Sequence, residues 1–99
     1  NNTTNSQYVI DQSSMDKRLE KIYLEELEND ITNKFEEKGY IIRKCIIDAE
    51  LDTSKKNAGI HLIKVIVEST EDETGIYQIK NEIINEYEID ESKIQISIK

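Results

Sequence analysis

Residues 60–98, IHLIKVIVESTEDETGIYQIKNEIINEYEIDESKIQISI, decide the fold. The apolar period changes twice along this stretch. From Ile60 to Glu68 β-branched residues crowd together, with Ile63, Val65 and Val67 alternating on one face, which is the period of a strand. Residues 69–74 are polar and acidic, a turn able to cap a helix. Ile76, Ile79, Ile83 and Tyr87 then recur at helical spacing. After the turn at Asp90, Glu91 and Ser92, Ile94, Ile96 and Ile98 alternate against Gln95, Ser97 and Lys99, and Ile96 is read as the central inward residue. A strand–helix–strand unit crosses over right-handedly, so its second strand should lie parallel to its first.

Upstream, DTSKKNAG (52–59) reads as a flexible hairpin loop. Tyr40 to Leu51 reads as a strand, with Cys45, Ile47 and Ala49 on one face and Tyr40, Ile42 and Ile46 on the other. A bulge near Arg43 and Lys44 would bring Ile42 and Cys45 to the same core face. Before it, Leu24, Leu27, Ile31 and Phe35 form the apolar stripe of a helix of five to six turns, lengthened at its ends by Leu19, Tyr23 and Lys38. Glu20, Glu25, Glu28, Glu36 and Glu37 take the other face. Ser13 and Ser14 are N-cap candidates, and Gly39 is a natural stop. Residues 1–12 read as a disordered polar lead-in and 13–99 as a single domain. The expected fold is α+β: a two-layer αββαβ sandwich, with two helices on one face of a three-stranded mixed sheet. Strand orders 1-2-3 and 2-1-3 both satisfy the pattern.

Composition bounds function. The net charge is −8, which argues against nucleic-acid phosphates and anionic bilayers. Only residues 40–67 are basic, with five bases against three acids; the flanking segments carry −4 and −6. A chain opening on Asn1 without Met reads as a fragment or a processed product. The lone Cys45 allows no internal disulfide, and its Ile neighbours point to a core thiol. His61, the only histidine, lies on a strand where Glu50 or Leu51 would face it, with no nucleophile at a suitable turn. One His and one Cys cannot close a zinc site, and Glu71-Asp72-Glu73 lacks the alternating ligands of a calcium loop. Glu25, Glu26, Glu36 and Glu37 lie on a solvated helix face, where nothing tunes them for glycoside chemistry. With glycines only at 39, 59 and 75, there is neither a phosphate loop nor the GXXG clamp of KH-type RNA-binding domains. No catalytic, cofactor or metal residues are therefore assigned.

One surface remains to be explained. If Cys45, Ile47, Ile63, Val65 and Val67 face the helices, then Ile46, Leu62 and Ile66 face away, beside Lys44 and Lys64, with nothing in so short a chain to cover them. These five residues are candidate protein-interaction residues. The matching acids are Glu25, Glu28 and Glu36 on the first helix, or Glu82 and Glu86 on the second. Complementary patches of this kind suit a head-to-tail contact between copies.

In order, the run LEKIYLEELENDITNKFEEKGY (19–40), the hairpin with inner Cys45, Ile47, Ile63, Val65 and Val67, and the closing IKNEIINEYEIDESKIQISI (79–98) resemble the soluble domain of the stage III sporulation protein AF family of endospore-forming bacteria. The markers are the Gly-Tyr that ends the first helix and the terminal Lys-Ile-x-Ile strand. The resemblance covers Leu19 to the end of the chain. It implies a ring-building-motif-like αββαβ fold and no enzymatic activity. It also implies a mother-cell membrane protein anchored by N-terminal spans, with residues 1–12 as tether and the soluble domain in the intermembrane space of the developing spore. The expected role is that of an assembly module in a transenvelope channel between mother cell and forespore, with other channel subunits, and the chain itself, as partners. Relatives that form rings stack one domain's helices on the neighbour's sheet. At −8, the isolated chain is expected to be monomeric at micromolar concentration. The alternatives are a ring-building or ancillary domain of another secretion system, and a small regulatory ligand-binding domain.

Overall fold

The computed structural model describes residues 12–99. Helix α1 (Gln12–Glu36) leads into strand β1 (Ile42–Glu50), strand β2 (Gly59–Val67), helix α2 (Thr74–Tyr87), a single 3-10 turn (Glu91–Lys93) and strand β3 (Ile94–Ile98). The sheet order is β1-β2-β3, with β1 antiparallel and β3 parallel to the central β2. The fold is thus α+β, and of the two strand orders left open by the sequence it takes 1-2-3. The parallel β2–β3 pair is what the crossover rule requires.

Helices and sheet share one core. Leu27, Ile31 and Phe35 of α1 and Ile76, Ile79 and Ile83 of α2 close over Ile47, Ile63, Val65, Val67 and Ile94. Burying a side chain of this size contributes about 1.5–3 kcal/mol, so this layer is the main source of stability. The strand phases match the alternation except at Tyr40 and within β3. On β3 the most buried residue is Ile94, at 4% exposure, while Ile96 is only partly buried. β3 is an edge strand, so its far end is less covered.

Both termini of the first helix differ from expectation or refine it. Ser13 and Ser14 lie inside α1, which already includes Gln12; the rest of the expected 1–12 lead-in falls outside the described residues. At the other end α1 stops at Glu36, before Lys38, in a Schellman motif. The Gly39 N–H donates to the Glu36 carbonyl at 2.9 Å and the Tyr40 N–H to the Phe35 carbonyl at 3.1 Å. Gly39 holds φ +89°, a region that a side chain disfavours. The motif turns Tyr40 inward, where it is buried against Phe35's cluster rather than lying on the outer face of a strand. Helix α2 ends on a related left-handed turn, with Glu88 at φ 52° and the Glu88 and Ile89 N–H groups both on the Ile84 carbonyl. At its start the N-cap Glu73 makes no side-chain cap bond, and it is the Asp72 carboxylate before it that accepts from the Thr74 N–H at 3.0 Å.

The β1–β2 ladder carries two irregularities. Ile42 pairs with Val67 and Lys44 with Ile66, leaving Arg43 as the extra residue, so that Ile42 and Cys45 both pack against the core. The second lies on β2, where Asp48 pairs with Leu62 and Ala49 with Ile60, leaving His61 unmatched. The 51–58 loop is organised by its own polar groups. Asp52 accepts from the Ser54 N–H at 3.0 Å and from its hydroxyl at 2.6 Å, and Lys55 pairs with Glu50 at 3.1 Å. The Ser54 hydroxyl first, then its N–H, holds the Asp52 carboxyl below the ordinary carboxylate range, and the Asp52 N–H first, then Lys55, does the same for Glu50.

The helices differ in length. At 1.5 Å per residue α1 is about 37 Å long and α2 about 21 Å. They run antiparallel: Tyr87, at the end of α2, donates its hydroxyl to Asp30, and Lys34 bridges Glu86 at 2.8 Å and Asp30 at 3.6 Å. Beyond Asp30, the first turns of α1 continue without α2 beside them. Leu19 and Tyr23, read from the sequence as part of the core stripe, are 58% and 52% exposed for that reason.

Candidate functional site

The pleat places Lys44, Ile46, Leu62, Lys64 and Ile66 together on the sheet face away from the helices. Successive side chains of a strand alternate, and the inward set is Cys45, Ile47, Ile63, Val65 and Val67. Pairing across the three strands gives the rows Lys44–Ile66–Ser97 and Ile46–Lys64–Gln95, with Asp48 opposite Leu62. Apolar and basic positions therefore alternate in two directions. Ile46 is 40% exposed, and Leu62 and Ile66 are half-buried. Both helices pack on the opposite face, and among the described residues no helix lies over this one. Asp48, Gln95 and Ser97 belong to the same face. Strand parity alone would have found Gln95 and Ser97, since they alternate with the inward Ile residues.

The acidic candidates lie in the other layer and are not equivalent. Glu25 and Glu36 are exposed on α1. Glu28 is half-buried on the flank over β1, near enough for its charge to act on the Cys45 thiol. Glu82 is exposed on α2, but Glu86 is engaged by Lys34. This pair ties the two helices together, and its hydrogen bond raises the Lys34 pKa. With Glu86 engaged, α2 is left with the single candidate acid Glu82, whereas α1 keeps Glu25, Glu28 and Glu36 on one flank. That flank and the basic sheet face belong to opposite layers, so they do not meet within one molecule.

The remaining chemical candidates separate in space. His61 is exposed at the second bulge, and its Nε2–H donates to the Asn57 carbonyl at 2.6 Å. Its Nδ1 lies 3.9 Å from Asp48, so the residue facing it is Asp48 rather than Glu50 or Leu51; the unmatched register causes the change. Cys45 is half-buried, and burial first, then the charge of Glu28, pushes its thiol up to about 11, which keeps it protonated at neutral pH. Among the described residues no group of three or more His, Cys, Asp or Glu is placed to hold a metal ion. Also among the described residues, no helix is long and apolar enough to cross a membrane.

One further concavity has no signature in the residue pattern. Leu19, Tyr23, Leu51 and Ala58 line an open groove of about 420 Å³ between the start of α1 and the hairpin loop. It exists because α1 outruns α2, a relation between lengths that no local pattern encodes. No protein-family model, curated protein or solved structure matches the chain.

Proposed function

We propose that this chain is a non-enzymatic assembly module, and that its outer sheet face receives the acidic α1 flank of a neighbouring copy or sister subunit. The observation that carries the reading is the pairing of an uncovered apolar and basic face, Lys44, Ile46, Leu62, Lys64 and Ile66, with an acidic helix flank in the opposite layer, Glu25, Glu28 and Glu36. Two different surfaces in contact make a heterologous interface, which propagates and closes into a ring if the rotation between subunits permits. The resemblance of the first helix, hairpin and terminal strand to the sporulation family supplies the setting. In that setting the module belongs to a transenvelope channel between mother cell and forespore, held at the mother-cell membrane with this domain in the intermembrane space.

Leu62→Glu combined with Ile66→Glu tests the reading in the endospore-forming host. Both side chains lie on the outer face, so the domain should stay folded and abundant while channel assembly and sporulation fail. Normal sporulation with the double variant present at wild-type level contradicts the proposal.

A further inference from the structure

Helix α1 carries two apolar lines. The first, Leu27, Ile31 and Phe35, faces the sheet and is buried. The second, Leu19, Ile22 and Tyr23, is 58%, 52% and 52% exposed. At 3.6 residues per turn the second line stands roughly a third of a turn round the helix from the first. It occupies the part of α1 that α2 is too short to reach, because α2 ends at the Tyr87–Asp30 bond.

We infer that this second line is an isologous contact between two copies of the chain, in which the two α1 segments pack antiparallel with Leu19 of each copy against Ile22 of the other. Three properties of the helix favour that occupant. Leu19 and Ile22 have the three-residue step of adjacent core positions in a helix–helix seam. Arg18 and Glu25, both exposed, stand seven residues apart on the same side of the line. With Leu19 set opposite Ile22, Arg18 of one copy and Glu25 of the other fall two residues, or about 3 Å, from direct alignment, and the two-fold axis makes the pair twice. Charges flanking a helical seam set orientation in this way. An in-register parallel pair would instead set Arg18 beside Tyr23 and hold two bodies of net charge −8 side by side. The antiparallel pair places Leu27 opposite residue 14 of the other copy, so the two α2 helices, each of which ends beside Asp30 of its own α1, lie towards opposite ends of the seam.

The contact is small. Three apolar side chains per copy bury far less than the roughly 1,600 Å² of a standard interface, so the association belongs at high micromolar to millimolar concentration, with monomers at low micromolar. The two surfaces share Glu25, but Leu19 and Ile22 take no part in the sheet-face contact proposed above and Leu62 and Ile66 take none in this one, so changes at those two pairs separate the two contacts.

Sedimentation equilibrium of the purified chain, from about 20 µM to about 1 mM at low salt, is the test. A monomer–dimer equilibrium is expected across that range. Leu19→Glu with Ile22→Glu should abolish it while circular dichroism stays unchanged, since both side chains are already exposed. Arg18→Glu alone should weaken the dimer about three- to tenfold, and Arg18→Glu with Glu25→Arg should restore it. Leu62→Glu with Ile66→Glu should leave it intact. The inference is overturned by a monomer at the highest concentration, by a dimer indifferent to the Leu19 and Ile22 changes, by failure of the charge swap to restore association, or by a dimer lost with the sheet-face variant.

Discussion

At Gly75 two rules of helix chemistry oppose each other. The residue lies in the first turn of α2, where alanine would ordinarily favour the helix by about 1 kcal/mol. A Cβ there, however, would stand 2.7 Å from the Tyr40 hydroxyl oxygen and 3.1 Å from its ring. Tyr40 has little freedom to retreat, because it is buried and its hydroxyl donates to the Asp72 carbonyl at 2.9 Å. That bond fastens the acidic turn before α2 to the end of α1. Gly75→Ala should therefore destabilise the domain by about 1–2 kcal/mol in urea melts, the propensity gain being outweighed by overpacking and a lost hydrogen bond. In a Tyr40→Phe background the loss should shrink, because the closest atom is gone. A Gly75→Ala protein more stable than wild type would show that Tyr40 adjusts freely, and would remove its role as a fastening.

At the scale of elements, β3 carries the sharpest contrast between faces. Ile94 is buried, whereas Gln95 beside it is exposed on the outer face. Ile94→Asp should destabilise by roughly 3 kcal/mol or more, since it places an unpaired carboxylate in the core. Gln95→Asp should stay within about 0.5 kcal/mol of wild type. Equal urea midpoints for the two would mean the strand phase is wrong. That phase was legible because a period of two survives in Ile94, Ile96 and Ile98. Their ranking was not, since it depends on where an edge strand loses its cover. The Arg43 bulge was legible from the conflict between Ile42 and Cys45. The His61 bulge was not, because either register leaves apolar residues inside. The overhang of α1 escaped for a related reason: Leu19 and Tyr23 continue helical spacing from Leu27, so the two lines merge in sequence. Only the length of α2 divides them. Strand order stayed open because a right-handed crossover satisfies both arrangements. The five sheet-face candidates came from parity and were brought together, whereas the engagement of Glu86 by Lys34 depends on the packing of two helices and could not be read.

At the scale of the whole molecule, charge is divided between layers. The outer sheet face presents Lys44 and Lys64, while the α1 flank presents Glu28 and Glu36, in a chain of net charge −8. A heterologous contact between these surfaces makes a demand that no isologous contact makes. Lys44→Glu with Lys64→Glu gives a subunit acidic on both surfaces. Glu28→Lys with Glu36→Lys gives one basic on both. Neither matches itself, but alternating copies of the two match at every junction. Sporulation is therefore measured, with cross-linked oligomers scored in parallel, in cells making either variant alone or both together. Each variant alone should fail while folded and abundant, and co-production should restore assembly. If each alone supports sporulation, or if the mixture fails as completely as its parts, the sheet face and the α1 flank are not the surfaces that join.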